Sequence, residues 1–444
     1  MINNTTCRFS LVLCLILFFA VPLRAQETAQ VFRGALIYPI VGEPIENGVL
    51  VVQGGKIVAV GKSGEVPVPS GAVEHNVEGK VIMPGLVDTH SHIGRGDGGD
   101  ASSTLHPSVR ILDAIDPRAT NFKKALVGGI TTVNIMPGSG HLMSGQTVYL
   151  KLRKDANSIE DMLFVKDATN EIAGGLKMAN GTNPLRPAPF TGTRGKSASV
   201  VRIIYLKAQD YREKIKAAGN DKEKLPKRDL DMECLLQVLE GKRIVHHHTH
   251  RHDDILTVLR LAKEFGFRVV LHHVSEAWKV AKEIAAAKAP CSIIVLDSPG
   301  GKLEAVDIRF ENGRVLEEAG VDVAFHTDDS ITDSRLFLRS AGLAVRAGMS
   351  RKKALEALTL AGARMLDLQD RIGSLEKGKD ADFIILSGDP FSVYTHVLQT
   401  WVEGQKVYDR SNPDDYKYAV GGHSVYRGAD ALDDNGQSEM GGER

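Results

Sequence analysis

Residue types that bind metal ions or move protons stand at the ends of apolar, strand-like runs in this chain: His90 and His92, His248, His273 and Asp328. His90 and His92 follow the run Leu86-Val87-Asp88-Thr89. Residues two apart on a strand point to the same side, so the pair can converge on one ion, whereas a helix would separate them. An isolated pair of this kind also reads as hydrogen-bonded surface histidines; the Pro84-Gly85 turn, the strand and Asp88 make it more informative. His246, His248 and His250 share one face after Arg243-Ile244-Val245, and one of the three suffices as a ligand. A further run closes on His272-His273 and another on Phe325-His326-Thr327-Asp328-Asp329. An acid after a strand is by itself more often a helix cap. Its weight here lies in the combination, because barrel enzymes place their chemistry at the C-terminal ends of strands. Imidazoles and carboxylates suit zinc or a similar divalent ion, one or two per site. Such an ion brings the pKa of a bound water toward neutrality.

The elements that must position these residues follow from periodicity. Apolar runs alternate with helical patterns, as in βαβ units. Strands are expected at 81–89, 130–136, 147–152, 175–179, 243–248, 268–273, 292–296 and 321–327, which suits a (β/α)8 TIM barrel. Asp253 to Phe265 has helical spacing, and 186–227 reads as a long loop followed by a helix or two. Outside this region the texture is β-rich at both ends, with hairpin turns at Gly54-Gly55 and Glu403-Gly404. The two ends are expected to form one small β-sandwich, residues 26–83 and 364–412 flanking a barrel over 84–363. A polar, loosely ordered tail is expected over 413–444.

Residues 1–25 read as a secretory signal peptide: Arg8 precedes an apolar run from Phe9 to Leu23, too short for a comfortable membrane span. A secreted or periplasmic protein follows, with no membrane contact after cleavage. The 55 Lys and Arg balance 55 Asp and Glu, and loss of Arg8 and Arg24 gives −2, so nothing suggests a nucleic-acid partner. Of the four cysteines, Cys7 and Cys14 leave with the signal, and Cys234 and Cys291 are no disulfide framework. A small-molecule or dipeptide substrate and a possible homo-oligomer complete the expected partners.

Five blocks in order resemble the amidohydrolase superfamily, in particular its imidazolonepropionase-like and Xaa-Pro-dipeptidase-like secreted branch. They are Gly55-Lys56-Ile57-Val58-Ala59-Val60-Gly61, Pro84-Gly85-Leu86-Val87-Asp88-Thr89-His90-Ser91-His92, the stretch from Gly175 to Pro184, His248-Thr249-His250-Arg251, and the stretch from Gly373 to Asp382. The resemblance covers nearly the whole chain after residue 25 except the tail. It implies that His90, His92 and Asp328 hold one metal, that His248 and His273 hold another, and that Lys177, carboxylated, bridges the two. If Lys177 does not bridge, the site is mononuclear and His273 supports the site or binds substrate. The implied activity is hydrolysis of a cyclic-amide or dipeptide-like C–N bond by metal-activated hydroxide, with Asp328 as general base and acid. Alternatives are a lactone, carbamate or phosphotriester hydrolase on the same site, or a non-catalytic periplasmic metal- or ligand-binding barrel. Arg251, Tyr205 and His141 are candidate substrate contacts, and His247, His252, His272 and His326 are left without a role by the pattern alone.

Overall fold

A computed structural model of the chain describes residues 28–96, 98–295, 303–329 and 331–421. The expected signal peptide lies outside these residues, as does most of the expected tail. The strands, in chain order, are β1 (Gln30–Ile37), β2 (Ile45–Gln53), β3 (Lys56–Lys62), β4 (Val73–Asn76), β5 (Val81–Pro84), β6 (Leu86–Ser91), β7 (Ile130–Ile135), β8 (Met143–Gln146), β9 (Val148–Lys151), β10 (Leu176–Ala179), β11 (Val245–Thr249), β12 (Val269–His273), β13 (Cys291–Ile293), β14 (Val323–Phe325), β15 (Phe383–Leu386), β16 (Val397–Val402) and β17 (Gln405–Asp409). The architecture is mixed α/β.

One sheet joins the two ends of the chain, in the order β17-β16-β15-β5-β1-β2-β3 with β4 beside β1. Its core explains the pairing: Phe32 from the first strand meets Phe383 and Trp401 from the last ones, with ring centroids 4.9 and 5.1 Å away. Aromatic burial of this kind is among the largest single contributions to a small core. Behind it, Lys151 is wholly buried, its ammonium paired with Asp380 and lying 3.0 Å from Asp382 and 3.1 Å from Glu403. A buried cation needs such partners, and these link β9 to the end sheet.

The site lies on two further sheets, β6-β7-β9 and β14-β13-β12-β11-β10-β8. Pairing from β10 through β14 is parallel, and β6 runs parallel to β7. Amphipathic helices supply the crossovers: His252–Phe265 buries Ile255, Val258, Leu261 and Phe265 and stops at Gly266, whose φ of 74° lies in the left-handed region glycine tolerates. The 186–227 stretch contains a helix over Arg194–Ala218, capped by Thr193. The expected parallel strand at 147–152 is corrected by the pairing. β9 is antiparallel to β7, and β8 is antiparallel to β10. No helix lies between β7 and β9 to supply the crossover that a parallel pair needs. The tail also departs from expectation, since Pro413–Val420 forms a helix with Asn412 as its cap.

Strand alternation stacks the interior in layers. Ile244, Val270 and Ala324 pack with Ala361 and Met365. Two residues further along the same chain segments come His246, His272 and His326, all buried. A layer of imidazoles therefore succeeds an apolar layer because the side-chain period of a strand is two.

Candidate metal centre

His90 lies on β6 and His92 just beyond its end, with their Nε2 atoms 3.3 Å apart. Asp328 Oδ1 is 3.4 Å from His90 Nε2 and 3.0 Å from His92 Nε2. Donors held about 2.0–2.1 Å from one tetrahedral zinc ion are about 3.3 Å from one another, so the three edges match a single ion's ligand set. The donors are also aimed. His92 Nδ1 is 2.8 Å from the Met136 carbonyl, which only accepts, so Nδ1 carries the proton and the Nε2 lone pair faces the cluster. His90 is wholly buried, whereas the His92 and Asp328 side chains keep 22% and 14% exposure.

Asp328 is fixed through its backbone, its N–H donating to the His90 carbonyl at 2.9 Å. Its φ of 49° is in the left-handed region, uncommon for a residue other than glycine. Burial would raise its pKa, but its close contact with His92 and the fields of His326 and Lys177 hold it below the ordinary carboxylate range. Asp88 reinforces the same junction: it accepts from Thr327 N at 3.0 Å, Thr327 Oγ1 at 2.5 Å and His90 N at 3.2 Å. Nothing in its sequence context beyond its place in the motif marks that role.

His273 reaches the cluster although its neighbour His272 does too, which plain alternation forbids. The backbone at His273 and Val274 turns left-handed, with φ of 68° and 41°, and this swings His273 back beside His90, ring centroids 4.7 Å apart. His273 Nε2 is buried without a hydrogen-bond partner, as a metal-ligating nitrogen awaiting its ion would be. His248 stacks edge-on against His273 at 4.3 Å. Lys177 is fully buried, with Nζ 3.0 Å from His90 Nε2 and 3.0 Å from Met136 Sδ. A second grouping unites His248 and His250 with Glu304, whose Oε1 is buried and unpartnered; Glu304 carried no signal in the sequence.

Burial sets the protonation of the histidines. It pushes His246 and His326 down to about 3 and holds His90, His272 and His273 well below the ordinary imidazole value, with Lys177 adding to each shift. These rings are neutral near pH 7, the form that ligates metals.

Other expected residues fall elsewhere. Tyr205, expected against substrate, is fully buried and stacks on Phe265 and Phe267 at 5.0 and 5.3 Å, with its hydroxyl toward Met178 Sδ. It faces inward because it sits on the core side of Arg194–Ala218. Arg251 pairs with Asp253 at 2.8 Å. His141 packs against His106 and Phe190, and burial lowers its pKa to about 4. His247 Nδ1 bonds the His248 carbonyl, and His252 pairs with Glu276 at 2.6 Å. His272 and His326, by contrast, belong to the cluster itself, within 3.2 Å of His90 and His273 respectively.

The amidohydrolase family profile matches residues 81–408, about three quarters of the chain and every donor named above. The chain belongs to the amidohydrolase family. A solved amidohydrolase from Thermotoga maritima MSB8 is 34% identical, with a TM-score of 0.79 over 86% of this chain and 100% of that one. Amidohydrolase tasK of Hapsidospora irregularis is 27% identical over 82% of this chain, which spans 40% of that longer protein. An imidazolonepropionase of Fusobacterium nucleatum is 24% identical over 80% of this chain and 88% of its own length. This amidohydrolase is thus an enzyme, a hydrolase of carbon–nitrogen bonds from a metal-dependent family, which removes the non-catalytic barrel from consideration.

Proposed function

We propose that this amidohydrolase is an exported enzyme that cleaves a cyclic-amide or dipeptide-like C–N bond, with its metal held by His90, His92 and Asp328. The observation that carries the reading is the triangle of donors with edges of 3.3, 3.0 and 3.4 Å. A divalent ion such as zinc supplies Lewis acidity when bound, acidifying water and polarising a carbonyl. The residues do the rest. His90 and His92 offer Nε2 atoms that lie 3.3 Å apart, facing Asp328. Asp328, depressed in pKa and partly open to solvent, takes the proton of the attacking water and returns it to the leaving nitrogen. Lys177, if deprotonated and carboxylated by carbon dioxide, would offer an anion beside His90 that could help hold a second ion with His248 and His273.

Several observations support the finer reading of fold and compartment. Thr327 N and Oγ1 bond Asp88, and Thr89 Oγ1 lies 3.4 Å from the Phe325 carbonyl. β14 and β6 are thus neighbours, and the two inner sheets read as arcs of one (β/α)8 barrel over 84–363. The end sheet then corresponds to the small β-sandwich. The leader-like N-terminus supports export to the periplasm or beyond, and among the described residues no helix is long and apolar enough to cross a membrane. The imidazolonepropionase and Xaa-Pro-dipeptidase likenesses point to small, amide-bearing substrates.

The test is a turnover screen of the zinc-loaded enzyme on Xaa-Pro dipeptides, N-acyl amino acids, cyclic amides and lactones. Turnover of an amide class, reduced at least about 10³-fold in Asp328→Asn, is the expected outcome, a loss in keeping with removal of proton transfer together with a ligand. Turnover confined to lactones, or an Asp328→Asn enzyme as active as wild type, overturns the reading.

A further inference from the structure

Two hydrogen-bond chains run from the metal centre into the barrel interior, and each has a direction that can be worked out from groups able only to donate or only to accept. The first starts at the Phe325 carbonyl. A carbonyl only accepts, so the Thr89 hydroxyl, 3.4 Å away, donates to it. Thr89 Oγ1 is 2.6 Å from Ser292 Oγ and has no second proton, so Ser292 donates to Thr89. Ser292 Oγ is 2.7 Å from His326 Nδ1 and has spent its own proton, so His326 Nδ1 donates to Ser292. A neutral imidazole carries one ring proton, hence His326 Nε2 accepts from His273 Nδ1 across 3.2 Å. The end result is a bare lone pair on His273 Nε2, the atom that is buried with no hydrogen-bond partner.

The second chain starts at Lys177. An ammonium only donates, so His90 Nε2, 3.0 Å from Nζ, accepts, and the His90 proton lies on Nδ1. From there it donates to His272 Nδ1 at 3.2 Å, His272 Nε2 donates to His246 Nδ1 at 3.0 Å, and His246 Nε2 donates to the Tyr149 hydroxyl oxygen at 2.9 Å. All five side chains are buried. Gly175 makes room for this line, since a Cβ there would lie 2.3 Å from His246 Cδ2.

We propose that Ser292 and His326, and in parallel His272, His246 and Tyr149, are positioning residues that set the tautomers of His273 and His90 before any metal arrives, so that both present Nε2 lone pairs. The inference rests on the reading of His90 and His273 as ligands. It gives the interior histidines a role in metal capture. An imidazole that must first shift its proton to the other nitrogen binds an ion less well than one already in the right form, and partners of ligating histidines are worth about 10- to 100-fold in metal affinity.

The experiment uses metal-free, full-length protein labelled with ¹⁵N-histidine, followed by zinc titration of wild type, Ser292→Ala, Ser292→Thr and Tyr149→Phe. In metal-free wild type, the imidazole shifts should show His273, His326 and His90 protonated on Nδ1, and His272 and His246 on Nε2. Ser292→Ala should bind zinc about 10- to 100-fold more weakly while filling the same number of sites at saturation, and Ser292→Thr should recover most of the affinity. Tyr149→Phe should weaken zinc binding through the other chain, independently of any folding defect at Ser292. An Nε2-protonated His273 in the metal-free protein, or zinc affinities unchanged in both Ser292→Ala and Tyr149→Phe, overturns the proposal. Failure of the metal-site reading looks different: His90→Ala would then leave the zinc stoichiometry intact, whatever the tautomers.

Discussion

A single buried ammonium shapes the chemistry of the site at the scale of the residue. Lys177 stands among neutral imidazoles, and its charge adds to the burial that keeps His246 and His326 near 3. An ammonium in such a place is costly, and carboxylation would replace it with an anion beside the metal-type histidines. Under that reading the loaded protein holds close to two metals per chain, and Lys177→Ala holds one or none, as elemental analysis of dialysed protein would show; one metal in both proteins contradicts it. Tyr205 gives an opposite expectation. Its ring stacks on Phe265 and Phe267 in the core, so Tyr205→Phe should leave KM and kcat within about two-fold and cost no more than about 1 kcal/mol, the usual net value of one hydrogen bond. A large rise in KM would restore it to the substrate.

The elements show which parts of the site were legible beforehand. His90, His92 and Asp328 were readable because strand alternation and position at a strand end are properties of the local chain, and the structure does bring these three together. His272 beside His273 was not, because it depends on a left-handed turn at a residue other than glycine, which tertiary contacts impose and no local pattern announces. The antiparallel course of β9 escapes the local pattern for a related reason: 147–152 has the composition of a parallel strand, and only the lack of a helix between β7 and β9 dictates an antiparallel return. Thr89, Ser292 and Tyr149 look in sequence like ordinary strand residues, and their roles arise from what lies across the interior. Gly175 belongs here as well. A Cβ at that position would lie 2.3 Å from His246 and 2.6 Å from the Ile244 carbonyl. Gly175→Ala should therefore destabilise the protein by about 1–3 kcal/mol, as overpacking does, and lower zinc affinity by displacing His246. A urea midpoint and zinc affinity both equal to wild type would contradict the close approach.

On the scale of the whole molecule, the end sheet is locked to the inner sheets through Lys151 and its three carboxylates. Burial alone would raise the pKa of Asp380, but Lys151, Lys56 and Arg371 bring it down to about 2. A folded-state pKa below the unfolded value of 3.8 means that this carboxylate stabilises the fold above about pH 4 and loses that contribution as pH falls toward 2. The shift corresponds to about 2 kcal/mol. Asp380→Asn should thus be less stable than wild type by at least about that amount at pH 7, with the gap closing below pH 4 in urea titrations; a gap independent of pH would remove the cluster from the account. The central claim, a metal centre on His90, His92 and Asp328 in a C–N hydrolase, is tested most directly by an anomalous difference map at the zinc edge from crystals of the zinc-loaded protein. The expected result is a peak about 2.0–2.2 Å from His90 Nε2, His92 Nε2 and an Asp328 oxygen. A peak confined to His248, His250 and Glu304, with none at the first three residues, would contradict it.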